Sequence, residues 1–64
     1  MKPVVTLENW NLYTSKKGVL CIKGEVADDP SGMRGCPVNF QSVRLDPQTK
    51  TFSSSQAIII LRGL

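Results

Sequence analysis

The apolar run Ala57–Leu61 near the C-terminus constrains the fold more than any other feature of the sequence. Its consecutive isoleucines favour a strand, although Ser53–Ser55 could instead cap a helix that starts here. Alternate side chains of a strand face opposite sides, so this strand needs cover on both faces. A chain of 64 residues forms about one core, and we expect a second copy to cover the other face. The predicted oligomer interface is Ile58, Ile59, Ile60 and Leu61.

The apolar residues of the first segment change register within one stretch of strand-like sequence. Val5 and Leu7 share one parity, whereas Trp10 and Leu12 share the other. Because strand side chains alternate with period two, one regular strand cannot place all four on one face. A β-bulge near Glu8-Asn9 would return them to one side, and the alternative is two short strands that meet there.

Gly24 interrupts the apolar face of the next predicted strand, Gly18–Ala27. A glycine inside a strand often marks a bend or the close approach of another group. We expect that group to be the ring of Trp10.

Turn-forming residues divide the chain into short segments. The interruptions are Lys16-Lys17-Gly18, a loop from Asp28 to about Gly35, and Asp46–Lys50. They separate four segments of strand-like composition and a fifth, short one around Thr51–Ser53. No internal repeat is visible.

The apolar parity changes a second time between Phe40 and Val43, which fits a strongly coiled or barrel-forming strand. The sequence therefore predicts one all-β domain over residues 1–64. We expect a small, strongly curved antiparallel sheet or a partly open small β-barrel of about four to five strands, and we expect it to be oligomeric.

Charge and residue usage favour binding over catalysis. Lys and Arg total 8 against 5 Asp and Glu, a net charge of +3 that suits anionic partners. The chain has no histidine, the commonest general base and transition-metal ligand. Neither Ser53–Ser55 nor Cys36 therefore has a histidine to activate it. We expect no enzyme, no catalytic residue, no cofactor and no metal.

The cysteines predict a reducing environment. Cys21 lies among apolar residues and Cys36 lies in a turn-like setting, so we expect free thiols, with a single bridge as the alternative. The N-terminus lacks the apolar core of a signal peptide, and Ala57–Leu61 is too short to span a membrane. The predicted location is the cytoplasm, that of the host cell if a phage encodes the protein.

The loop from Asp28 to Gly35 is the first candidate ligand site. Its glycines, a serine and an arginine could present N–H groups and a guanidinium to a phosphate, although the GK[ST] ending of a Walker loop is missing. An ordinary connection is the alternative reading. Tyr13, close to lysines, is a candidate for stacking on a base. The predicted ligand-binding residues are Tyr13, Lys16, Lys17, Ser31, Gly32, Arg34 and Gly35.

The order of these features resembles very short β-rich accessory proteins of bacteriophages and prophages. The resemblance covers most of the chain. It rests on Trp10, Ile22-Lys23-Gly24-Glu25-Val26, Pro30, Gln41-Ser42-Val43, Asp46 and Leu61-Arg62-Gly63. It implies a phage-type accessory protein that is not an enzyme. Some small phage proteins of this size oligomerise and sequester nucleotide immune signals or block host defence complexes.

Two functions are therefore expected to compete. The first is a non-catalytic homo-oligomeric binding protein, with a phage anti-defence role, that sequesters an anionic small molecule or blocks a host protein. The alternative is a small β-barrel that binds single-stranded nucleic acid, which the net charge of +3 and Tyr13 beside the lysines favour.

Overall fold

Six strands form a single sheet in a computed structural model that describes residues 2–28 and 34–63, without the side chain of Asp28. The strands are β1 (Val4–Thr14), β2 (Leu20–Asp28), β3 (Pro37–Gln41), β4 (Arg44–Asp46), β5 (Thr51–Ser53) and β6 (Ile58–Leu61). Their order across the sheet is β3-β2-β1-β6-β5-β4. The all-β prediction is confirmed, and Ile58–Leu61 is a strand and not a helix.

The arrangement of the strands corrects the predicted architecture. β1 pairs antiparallel with β2 but parallel with β6, from Val4 opposite Ile58 to Leu7 opposite Leu61. The edge strands β3 and β4 do not pair with each other. The prediction of an antiparallel, strongly curved sheet or partly open barrel of four to five strands is therefore wrong. The sheet is mixed, has six strands, and is neither closed nor strongly curled.

A bulge interrupts the long strand β1. Glu8 lies opposite Glu25 and Asn11 lies opposite Lys23, so Asn9 and Trp10 together face Gly24. Asn9 has a φ of 51°, a left-handed conformation that asparagine tolerates better than most residues. The predicted β-bulge near Glu8-Asn9 is confirmed. It moves Trp10 to the face that carries Leu7.

Gly24 lies where β1 and β2 come closest. A Cβ atom at this position would be 3.0 Å from Trp10 Cβ and 3.2 Å from the carbonyl oxygen of Glu8. The predicted close approach is confirmed, but the nearest atoms belong to the Trp10 backbone and Cβ rather than to its ring. The indole N–H instead donates a hydrogen bond to the Arg62 carbonyl oxygen at 2.9 Å.

The chain passes from one edge of the sheet to the other through Ser42 and Val43. Ser42 has a φ of 56°, and the Val43 N–H donates to the Leu20 carbonyl oxygen at 3.1 Å. This is the predicted second change of parity, but it separates β3 from β4 instead of bending one strand. Because so short a link reaches only about 11 Å, the end of β3 lies close to the start of β4, although the two strands do not pair.

The core lies on one face of the sheet. Leu7, Ile22 and Ile59 have no exposed side-chain surface and come from β1, β2 and β6. Trp10 and Phe52 pack partly buried against this cluster. The other core members are Phe40, Val43, Ala57 and Leu61.

The predicted interface residues of β6 divide between the two faces. Ile59 and Leu61 belong to the subunit's own core, whereas Ile58 is half-buried and Ile60 is 40% exposed on the outer face. β6 is an inner strand, so its backbone is paired on both sides. A second copy would therefore have to meet the face of β6, where Ile58 and Ile60 lie.

The cysteines are both free, with Cys21 buried and Cys36 partly exposed. Cys21 Sγ lies 3.5 Å from the Val19 carbonyl oxygen, within its own chain segment.

Replacing Ile59 by alanine should lower the free energy of unfolding by about 2–5 kcal/mol, because a fully buried side chain leaves a cavity. The matched variant Ile60→Ala removes the same atoms from an exposed position and should cost clearly less. Urea unfolding of both variants, at a dilution where light scattering shows monomers, measures the difference without a contribution from association. Equal losses would contradict the assignment of the two faces of β6.

Replacing Gly24 by alanine should destabilise the protein by about 1–3 kcal/mol, because the added Cβ meets the backbone of β1 and cannot be relieved by a side-chain rotation. Gln41→Ala, at an exposed position of β3, serves as the control and should stay within about 0.5 kcal/mol of the parent. A Gly24→Ala protein as stable as this control would show that β1 shifts without strain.

Candidate functional site

The predicted loop site lies at one end of β2. The Gly35 N–H donates to the Val26 carbonyl oxygen at 2.8 Å, and Arg34 is exposed. Ser31 and Gly32 lie outside the residues that the structure describes. Within the described part of the loop, no second cation accompanies Arg34.

The predicted lysines lie at the opposite end of β2. Lys16 and Lys17 occupy the turn in which the Ser15 N–H donates to the Val19 carbonyl oxygen at 2.9 Å. From Leu20 to Val26 a strand rises about 20 Å. The structure therefore does not bring Arg34 and Gly35 together with Lys16 and Lys17 in one site.

Tyr13 lies on the outer face of the sheet. Its hydroxyl donates to Asn39 Oδ1 at 2.7 Å, and Lys23 Nζ lies 5.7 Å from the centre of its ring. These contacts bridge β1, β2 and β3 beside a shallow depression lined by side chains that include Asn11 and Pro37. One face of the ring is thus covered by Lys23, which a stacking base would have to displace.

A group of cations, of which only Lys16 and Lys17 were predicted from the sequence, surrounds the corner at Ser42. One depression, of about 320 Å³, is lined by Lys2 and Arg44 together with Ser42, Ser53, Ser54 and Ser55. We refer to it as the Lys2–Arg44 depression. A second depression also has Ser42 in its wall and contains Lys16 and Lys17. We call Lys2, Lys16, Lys17 and Arg44 around Ser42 the basic corner.

Backbone pairing holds Lys2 at this corner. The Ile58 N–H donates to the Pro3 carbonyl oxygen at 2.9 Å, which fixes the chain just before β1 beside β6. Lys2 Nζ then donates to the Ser54 carbonyl oxygen at 2.7 Å. Arg44 reaches the same depression because it starts β4 and pairs with Ser53 of β5.

The buried side chain of Ser54 shapes the turn between β5 and β6. Its Oγ accepts hydrogen bonds from the Gln56 and Ala57 N–H groups, each at 3.1 Å, and lies 3.3 Å from the Ala57 carbonyl oxygen. This turn leaves the Ser54 carbonyl oxygen facing Lys2. The serine run thus has a structural role as well as a place in the depression wall.

The carboxylates whose side chains the structure describes make contacts of their own. Glu8 forms an ion pair with Arg62 at 3.6 Å, and Glu25 accepts a hydrogen bond from Asn9 at 3.0 Å. Asp46 accepts from the Gln48 N–H at 3.0 Å, within the β4–β5 turn. No acidic side chain that the structure describes lines either depression of the basic corner. The local field there favours an anion.

Lys2 and Arg44 were missed because they carry no local signal. Lys2 precedes the first strand, and Arg44 follows an apolar residue within a short segment. Only the pairing of distant strands brings them together. The excess of cations over carboxylates in the sequence indicates an anionic partner, but it does not indicate which cations lie together.

Other kinds of site find no support in the described residues. Among them, no group of three or more His, Cys, Asp or Glu side chains is placed to hold a metal ion. The described chain also forms no helix with the length and apolarity needed to cross a membrane.

Comparison of the chain with family models, curated proteins and solved structures gives no significant match. Its function is therefore argued from the geometry of the basic corner.

Proposed function

We propose that this protein is a non-catalytic binding protein for an anionic small molecule and that it acts as a homo-oligomer. Binding of an anion is supported above all by the Lys2–Arg44 depression, whose described lining consists of two cations and four serines. Such a site offers charge and hydrogen-bond donors to an anion. The role in sequestering a nucleotide signal stays a prediction.

The residues of the basic corner support binding rather than chemistry. A serine hydroxyl needs a nearby base to become a nucleophile. The chain has no histidine, and no carboxylate is among the described residues that line the Lys2–Arg44 depression. The Lys2 ammonium donates to the Ser54 carbonyl oxygen instead of accepting a proton from a serine. The serines of the depression are therefore suited to donate and accept hydrogen bonds.

The homo-oligomer is supported by an apolar patch on the outer face of the sheet. Val4 of β1 lies opposite Ile58 of β6, with Ile60 further along the same face. Val4 is 59% exposed and Ile60 is 40% exposed. We call these three residues the outer patch. Two copies related by a two-fold axis could bury their outer patches against each other.

Binding of single-stranded nucleic acid remains the alternative. It is favoured by Tyr13 and Lys23, which offer an aromatic ring and a cation on the outer face. The nucleic-acid alternative and the anion-site proposal use different residues, so variants separate them.

Replacing Arg44 by alanine should weaken binding of inorganic phosphate by about tenfold, because a charge-assisted hydrogen bond contributes about 1.5–3 kcal/mol. Isothermal titration calorimetry at low salt measures the change. Arg62→Ala is the matched control, since Arg62 is exposed and pairs with Glu8 outside the depression. Arg62→Ala should bind phosphate as the parent does.

Arg34→Ala tests the loop site predicted from the sequence. If phosphate binding falls with Arg34→Ala and not with Arg44→Ala, the loop and not the basic corner is the anion site. A labelled oligonucleotide that binds with a steep salt dependence, weakened by Tyr13→Ala alone, would favour the nucleic-acid alternative.

Replacing Ile60 by aspartate should convert the oligomer into a soluble, folded monomer, because a charge in the middle of the outer patch would be desolvated on association. Light scattering at micromolar concentration gives the mass of parent and variant. Lys23→Ala, on the outer face but away from the patch, should keep the parent's mass. A parent protein of 7.0 kDa in solution would refute the oligomer.

A further inference from the structure

We infer that the Lys2–Arg44 depression takes a terminal, doubly charged phosphate group, so that the ligand is a phosphomonoester of a polar molecule such as a nucleoside or a sugar. This inference rests on the proposed function and deepens it by naming the class of anion. It is carried by the donors of the depression, by its charge and by the neighbouring surface.

The two cations present complementary sets of donors. The Lys2 ammonium carries three N–H bonds, of which one is held by the Ser54 carbonyl oxygen at 2.7 Å. The others remain for a ligand, and the contact with Ser54 keeps the ammonium in place. The single ion pair found among the described side chains joins Arg62 to Glu8, so Arg44 does not share its guanidinium with a carboxylate there. A guanidinium can bind two oxygens of one phosphate side by side.

The serines add donors that suit a group with several free oxygens. The Ser54 hydroxyl is already hydrogen-bonded within the turn between β5 and β6. The depression is also lined by three other serines, Ser42, Ser53 and Ser55. A terminal phosphate offers three oxygens that accept strong hydrogen bonds, whereas a bridging diester has two unesterified oxygens. The hydrogen-bond donors of the depression therefore match the three oxygens of a terminal phosphate better than the two of a diester.

The charge of the depression also favours a phosphomonoester. Among the described residues that line it, two are cations and none is a carboxylate, which balances the charge of close to −2 that a phosphomonoester carries at pH 7. A phosphodiester carries one negative charge and would leave one cation uncompensated. The second negative charge of the monoester therefore adds an attraction to a cation that the diester lacks.

One of the two surfaces that adjoin the depression at Ser42 is polar and uncharged. An adjoining depression shares Ser42 and Ser55 with it and is also lined by the amide side chains of Asn39, Gln41 and Gln56. Amides both donate and accept hydrogen bonds, as the hydroxyls and ring nitrogens of a sugar or a base require. The body of the ligand would lie along these residues, with its phosphate between Lys2 and Arg44.

Adenosine 5′-monophosphate and its 3′,5′-cyclic form test the inference, because they share base and sugar and differ in being a monoester and a diester. At pH 7.5 we expect calorimetry to show at least tenfold tighter binding of the monoester. Arg44→Ala and Lys2→Ala should each remove most of this preference, whereas Arg62→Ala should keep it. Circular dichroism shows whether each variant is folded. If one of the two depression variants does not fold, the other still tests the inference.

The affinity for the monoester should also depend on pH. Its phosphate has a second pKa of about 6, so lowering the pH from 7.5 to 5 protonates it and should weaken binding about tenfold. Lys2 and Arg44 are the charged groups among the described residues that line the depression, and neither a histidine nor a carboxylate is among those residues. The cyclic diester and inorganic sulfate keep their charge over this range and should show no such loss.

The outcomes separate this inference from the proposed function. Equal affinities for the two nucleotides, both weakened by Arg44→Ala, would keep the anion site and overturn its assignment to a phosphomonoester. An affinity for the monoester that does not fall at pH 5 would also overturn the assignment. If inorganic phosphate and both nucleotides fail to bind at millimolar concentration, the assignment and the proposed function both fall.

Discussion

The bulge of β1 against Gly24 is the contact on which the rest of the sheet depends. A regular strand would place residues 7, 9 and 11 on the core face and leave Trp10 outside. The extra residue at the bulge puts Leu7 and Trp10 on the same face instead. The missing side chain at Gly24 lets the two backbones approach at this point. One long strand can thus pair with β2 along most of its length and with β6 along its first half.

Features with a local physical cause were predicted from the sequence. The parity change at Glu8-Asn9, the glycine opposite Trp10 and the short strand Thr51–Ser53 all appear in the structure. Each follows from the period of a strand or from the space that one side chain needs. These constraints act within a few residues and are therefore visible in the order of the amino acids.

The strand order could not be predicted in the same way. The apolar run of β6 predicts a strand that needs cover on both faces, but the sequence does not show where that cover lies. In the structure β6 is an inner strand whose backbone is paired on both sides, its Ile59 and Leu61 enter the subunit's own core, and Ile60 on the outer face is 40% exposed. Ile58 and Ile60 differ from Ile59 and Leu61 in burial, but the sequence alone does not indicate which pair enters the core.

The basic corner is a consequence of the same strand order. The link through Ser42 and Val43 joins the two edges of the sheet, and the pairing of β1 with β6 brings Lys2 to the turn at Ser54. Like charges held together in this way repel and weaken a small fold whose stability is already marginal. An anion placed between Lys2 and Arg44 would replace this repulsion with two attractions. The cluster of cations thus lowers the stability of the free protein and raises its affinity for an anion. Because the anion would bind the folded state alone, binding would shift the folding equilibrium towards that state.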